Sequence, residues 1–195
     1  MRTGTTEVPL SSRSKEESAR EFETGLTARD EIPTSTSRSK GEAELEVLSN
    51  GTIESEVEIN NKGQEVVRFC HIHVINTTAG TGPIVWFLTP TGVQLQIADR
   101  HIRFRQNADY VNNTVFGPDN PAIEATARAA LLAEPARFYV NCHSNAFPPG
   151  FIRGNLPGDD DDDDENDDDD EESREFETGL TARDEIPTST SRSKG

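Results

Sequence analysis

The chain has 195 residues, of which 36 are acidic and 19 basic, for a formal net charge of −17. Thirteen of the acids fall within residues 159–172, and without them the balance is −17 + 13 = −4, an ordinary surface charge. This excludes a nucleic-acid binder, whose cations must displace counterions from phosphates. With no apolar run longer than that of residues 84–88, it also excludes a membrane-spanning helix of roughly 20 apolar residues.

In chain order, residues 1–19 are poor in apolar side chains and read as disordered. Met1-Arg2-Thr3-Gly4-Thr5 shows no apolar stretch of a secretory signal, which taken literally means a cytoplasmic protein. Residues 20–41 recur without a change as residues 174–195, an offset of 174 − 20 = 154. The chain therefore reads as a tandem array: a domain over residues 20–158, an acidic disordered linker over 159–173, and a truncated second repeat over 174–195. The second copy can compete with the first for the same sheet edge, as strand exchange within or between molecules, or can remain a disordered fragment. The acidic run reads as an extended spacer, with weak calcium or mineral attachment as the other reading.

Inside the domain the period is two. A first strand is expected from residue 22 to about 28. Ala43, Leu45 and Val47 alternate with Glu44 and Glu46, and Ile53, Ser55, Val57 and Ile59 with Glu54, Glu56 and Glu58. Asn50-Gly51 between them is a hairpin signal, with positive φ expected at both turn residues. Further strands are expected at 66–75, 84–88, 93–97, 101–105, 137–143 and 151–156. Asn120-Pro121 opens the one helical pattern, with Asn120 as N-cap and Pro135 ending it. Trp86 and Phe87 are neighbours on a strand, so one is expected to face the core. Arg103 and Arg105 read as a strand's solvent face. Many short strands with one helix in a loop define an all-β Greek-key β-sandwich or barrel, of immunoglobulin-like or superoxide-dismutase-like kind.

His71 and His73 share one strand at spacing two, so both imidazoles point to one face about 7 Å apart along it. His143, at the end of a second strand, is the candidate third ligand, and an imidazole set suits copper, zinc or nickel. The competing reading is histidines that are solvated or hydrogen-bonded to a turn. On the same two strands Cys70 and Cys142 have the opposite parity and are expected to face the core, either as a disulfide or as two buried thiols. If the strands are neighbours, Tyr139 and Asn141 join the histidines. Asn50, Asn76 and Asn112 each begin an Asn-x-Thr glycosylation triplet, which weighs towards an extracellular setting. Gly-x-Ser-x-Gly, phosphate-loop and His-Glu-x-x-His patterns are absent.

Three stretches carry a family resemblance: FETGLTARDEIPTSTSRSKGEA at 22–43, CHIHVINTTAGTGPIVWFL at 70–88 and FYVNCHSNAFPPGFIRGNL at 138–156. Together and in order they resemble the CHRD domain, first described in chordin. Its glycine motif appears here one residue shorter, as Gly80-Thr81-Gly82-Pro83. Its Gly-Glu-Ile-Arg-Gly motif appears as Gly150-Phe151-Ile152-Arg153-Gly154, without the acidic residue. The resemblance implies an all-β Greek-key sandwich with no agreed catalytic activity. Four histidines are too few for the copper and zinc shells of Cu,Zn superoxide dismutase. Arg153 is expected either to cap carbonyls or to pair with a carboxylate such as Asp30 or Glu31.

The sequence reading is thus a non-enzymatic binding module of a secreted or surface-exposed tandem CHRD-repeat protein. Its partner is a protein, a glycan or a mineral surface, with no nucleic acid and no membrane span. The alternative is a copper- or zinc-binding protein or oxidoreductase using His71, His73 and His143.

Overall fold

In the computed structural model the described residues are 18–91 and 93–158. The acidic run and the second copy of the repeat lie outside them, as do residues 1–17. Nine antiparallel strands form one sheet: β1 (Ser18–Thr27), β2 (Lys40–Leu48), β3 (Ile53–Asn60), β4 (Val67–Val74), β5 (Ile84–Phe87), β6 (His101–Asn107), β7 (Asp109–Tyr110), β8 (Phe138–Ser144) and β9 (Ile152–Asn155). Their spatial order is β6-β3-β2-β1-β9-β8-β4-β5-β7. β1 meets β9 through the single pair Thr27↔Arg153, and β6 passes to β7 through Ala108 alone. The sheet thus folds into a nearly closed, barrel-like β-sandwich with Greek-key crossovers.

The acidic alternation builds the first half. Ala43, Leu45, Val47, Ile53, Val57 and Ile59 are buried, and the glutamates between them form rows across the outer face. Glu44 lies opposite both Glu23 and Glu56. Like charges so placed repel, and the neighbouring strand answers them. Arg103 ion-pairs with Glu56 and Glu58, and Arg105 with Glu56, on the exposed face expected of both. The β2–β3 turn closes with Gly51 N–H donating to Leu48 O, 2.8 Å. Only Gly51 of the Asn-Gly pair has positive φ, because the loop is longer than a two-residue turn.

Cys70, Ile72 and Val74 of β4 and Phe138, Val140 and Cys142 of β8 are buried in the shared core. A register shift between Val67 and Phe69 makes Val67, rather than Val66, the buried residue at that end of the strand. This is the local effect of an inserted residue on strand parity. Trp86 faces the core and is fully buried.

Other expectations are corrected. Residues 93–97 form no strand. Gln96 has φ 54°, which breaks the extended run, and only the isolated bridge Val67↔Ile97 remains. β1 is not an edge strand, since it lies between β2 and β9. The helix α1 (Pro121–Ala133) is as expected. Asn120 Oδ1 accepts from the N–H groups of Ala122 and Ile123, while Ala127 and Leu131 turn inward. A single 3-10 turn, Pro135–Arg137, follows, so β8 starts one residue later than expected. Among the described residues no helix is long and apolar enough to cross a membrane.

Candidate metal centre

β4 and β8 are direct neighbours, and their pairing decides which side chains meet. Cys70 lies opposite Cys142, His71 opposite Asn141, His73 opposite Tyr139 and Phe69 opposite His143. Alternation then divides the pairs between the two faces. On the core face Cys70 and Cys142 form a disulfide that spans 72 positions, the first of the two alternatives. On the other face the three histidines come together. One ring nitrogen from each of His71, His73 and His143 lies within 4.8 Å of the others. The fourth histidine, His101, is exposed on β6, opposite Asn60.

These imidazoles are not solvated. His71 and His73 are 4% and 8% exposed, and His143 is half-buried. Phe87 meets His71 edge-on, centroids 4.3 Å apart, and Phe69 stacks on it at 5.7 Å. Tyr139 lies flat on His73 at 4.7 Å with planes 8° apart. Arg153 covers the Tyr139 ring, its guanidinium carbon 3.5 Å from the centroid.

Two rings are oriented by main-chain carbonyls. His73 Nδ1 lies 2.9 Å from Gly82 O and His143 Nδ1 lies 2.8 Å from Pro148 O. Each carbonyl can only accept, so Nδ1 donates and Nε2 keeps a free lone pair. Both Nε2 atoms are buried without a partner, as are both ring nitrogens of His71.

Burial keeps all three rings uncharged. Desolvation is the main cause, followed for His71 by the neighbouring imidazoles. It lowers His71 to about 2 and His73 to about 4, and it holds His143 below the ordinary range. Desolvation also lifts Glu31 to about 7, against the pull of Arg153 and the hydrogen bond from Asn141.

The motif glycines and their neighbours support this face. A Cβ on Gly82 would collide with Val74 O. Only glycine therefore lets the chain pass close enough for Gly82 O to reach His73, and Pro83 O accepts from Val74 N–H. Gly150 has φ 146°, and a Cβ there would strike Asn141 and Glu31. Phe151 and Ile152 are core residues, so the position where the motif's acid would stand is packed inside the sandwich. Among the described residues Arg153 neither caps a carbonyl nor forms an ion pair. It stacks on Tyr139 and donates to Asn155 Oδ1 at 2.9 and 3.2 Å. Glu31 accepts instead from Asn141 Nδ2, which lies 2.8 Å from both of its oxygens. Asn50, Asn76 and Asn112 are all exposed and lie in loops.

Sequence parity brought His71, His73, His143, Tyr139 and Asn141 to one face. It missed Phe69, Phe87 and the carbonyls of Gly82 and Pro148. The aromatic neighbours had a signal in the strand register, whereas the carbonyls had none.

A barrel-like β-sandwich with three clustered imidazoles on the outer face of one strand pair and a disulfide on its core face defines the class of this domain. The family model of the CHRD domain matches residues 22–156, and the chain belongs to the CHRD family. No curated protein matches it.

Proposed function

We propose that this CHRD domain is a metal-binding module that holds one ion between His71, His73 and His143, acting by binding rather than catalysis. The observation that carries the reading is the convergence of buried, unpartnered ring nitrogens within 4.8 Å. Each unsatisfied buried polar atom costs about 1–3 kcal/mol, and a purely structural histidine cluster gives nothing in return for several of them. An ion at about 2.0 Å from each nitrogen would offset that cost. Around a tetrahedral ion such nitrogens stand about 3.3 Å apart, a closure that side-chain rotation supplies.

The carbonyls behind His73 and His143 supply the outer support that metal-bound imidazoles commonly have. The Cys70–Cys142 disulfide supports a secreted or surface location, since such bonds persist in oxidising compartments. The repeated 22 residues support a tandem arrangement of such modules.

Metal analysis of protein purified without an affinity tag, followed by titration of the stripped protein, tests the reading. One ion per chain is expected, lost in His73→Gln and His143→Gln proteins that keep the native circular dichroism. Absence of stoichiometric binding by copper, zinc and nickel alike would refute it.

A further inference from the structure

The charge around the three imidazoles carries the reading further. Among the described residues no carboxylate or thiol joins the cluster of ligand atoms. Both cysteines are consumed by the disulfide, on the opposite face of the strands. Glu31, the carboxylate closest in the network, is held through both oxygens by Asn141. Tyr139 keeps its ring flat on His73 and accepts the Gly82 N–H at its hydroxyl.

The outer supports are equally uncharged, since two backbone carbonyls orient the rings where many metal centres use carboxylates. The charged side chains stacked on the ring walls are guanidinium groups, with the Glu31 carboxyl set behind Asn141. Arg153 lies over Tyr139 and Arg68 over Phe69, at 3.5 and 5.4 Å.

An ion here meets three neutral donors, aromatic walls and two guanidinium groups. The cost of desolvating an ion grows with the square of its charge, so a divalent ion costs about four times a monovalent one. Zinc answers this with anionic ligands or with a bound hydroxide in a fourth, open position. Divalent copper prefers a square of four donors. This cluster offers three, with the free nitrogens shielded from solvent. A d¹⁰ monovalent ion accepts three-fold coordination and needs no anion.

We infer that the ion is monovalent copper, held three-coordinate by His71, His73 and His143, and that the domain disfavours divalent ions by denying them an anionic ligand. This inference rests on the three-histidine reading above. Selection here comes from charge and coordination number rather than from sulfur donors.

The test is an anaerobic titration of the tag-free full chain, stripped of metal and with the disulfide verified intact by mass. Copper kept monovalent with ascorbate, which spares the disulfide, is offered in competition with the chromophoric chelator bicinchoninate. Zinc(II) and copper(II) are titrated in parallel with their own indicators. The expected result is one monovalent copper per chain, at least about a hundredfold tighter than zinc, with a three-nitrogen shell in the X-ray absorption spectrum. A His143→Gln protein should lose the stoichiometric copper. If that variant misfolds, the wild-type spectrum decides, and a two-coordinate or sulfur-containing shell overturns the inference. Zinc or copper(II) bound at one per chain as tightly as monovalent copper would also overturn it while leaving the metal reading intact. Failure of every ion to bind would remove both.

Discussion

Glu31→Gln probes the network beside the histidines without touching a proposed ligand. Glu31 is 3% exposed, and its carboxyl is raised from 4.5 to about 7, first by burial. Arg153 and the Asn141 hydrogen bond pull the other way, and Asp30 adds slightly to the rise. Because the folded state holds this proton more tightly than the unfolded chain, stability falls as pH rises from about 4.5 to 7, and the full cost persists above that range. A rise of about 2.5 units at 1.36 kcal/mol each corresponds to about 3 kcal/mol. Glutamine keeps one oxygen for Asn141 Nδ2 and has no charge to desolvate.

The buried histidines act in the opposite direction. Their folded values lie below the ordinary 6.5, so their contribution is lost as pH falls. That term is common to both proteins and cancels in the difference. Urea unfolding of the metal-free proteins from pH 4.5 to 8.5 should show a gap in favour of Glu31→Gln. The gap should open across this interval and level off near 3 kcal/mol. Parallel curves, or a gap that widens towards acid, would refute the reasoning.

Other perturbations reach other parts of the structure. His71→Phe removes two unpartnered ring nitrogens from an aromatic pocket. By thermal melting, the metal-free variant should be more stable by about 1–2 kcal/mol, whereas equilibrium dialysis should find its ion-binding capacity gone. Replacing both Cys70 and Cys142 by Ser opens a link spanning 72 positions. It should cost about 4 kcal/mol in denaturant unfolding, and alkylation of the denatured, unreduced wild type should label neither cysteine. Gly82→Ala drives a Cβ into Val74 O and moves the carbonyl that orients His73. It should lower the melting temperature and weaken ion binding more than tenfold, as read by competition titration; unchanged affinity would mean that this carbonyl does not position the ring.

The strand faces were legible because alternation is unambiguous when one face is aliphatic and the other acidic, as in β2 and β3. The His71–His73 and Cys70–Cys142 assignments followed from the same parity, since a strand with His at odd positions and Cys70 at an even one can send them only to opposite faces. Legibility failed where the backbone left the ideal. The register shift beside Arg68 exchanged Val66 for Val67, and the positive φ of Gln96 ended a run that reads as a strand. The two-residue β7 has no period to detect. Ring orientation was invisible because any residue can present a carbonyl, so nothing in Gly82 or Pro148 announces an acceptor for histidine. The Glu31–Asn141 contact joins positions 110 apart, and only the folded sheet brings them together. Arg153 had two carboxylates to choose from by composition. The tyrosine opposite His73 supplied the surface it took.

The reverse face of β4 and β8 imposes an order of events on maturation. As free thiols, Cys70 and Cys142 would be the strongest donors in the chain for a soft ion, and they project into the core rather than towards the imidazoles. An ion that arrived before oxidation would be drawn to sulfur inside an unfinished sandwich. Once the cysteines are joined, that competing destination disappears and the pairing of the two ligand-bearing strands can no longer slip. For the proposed site, oxidation first and loading second would therefore be the productive sequence.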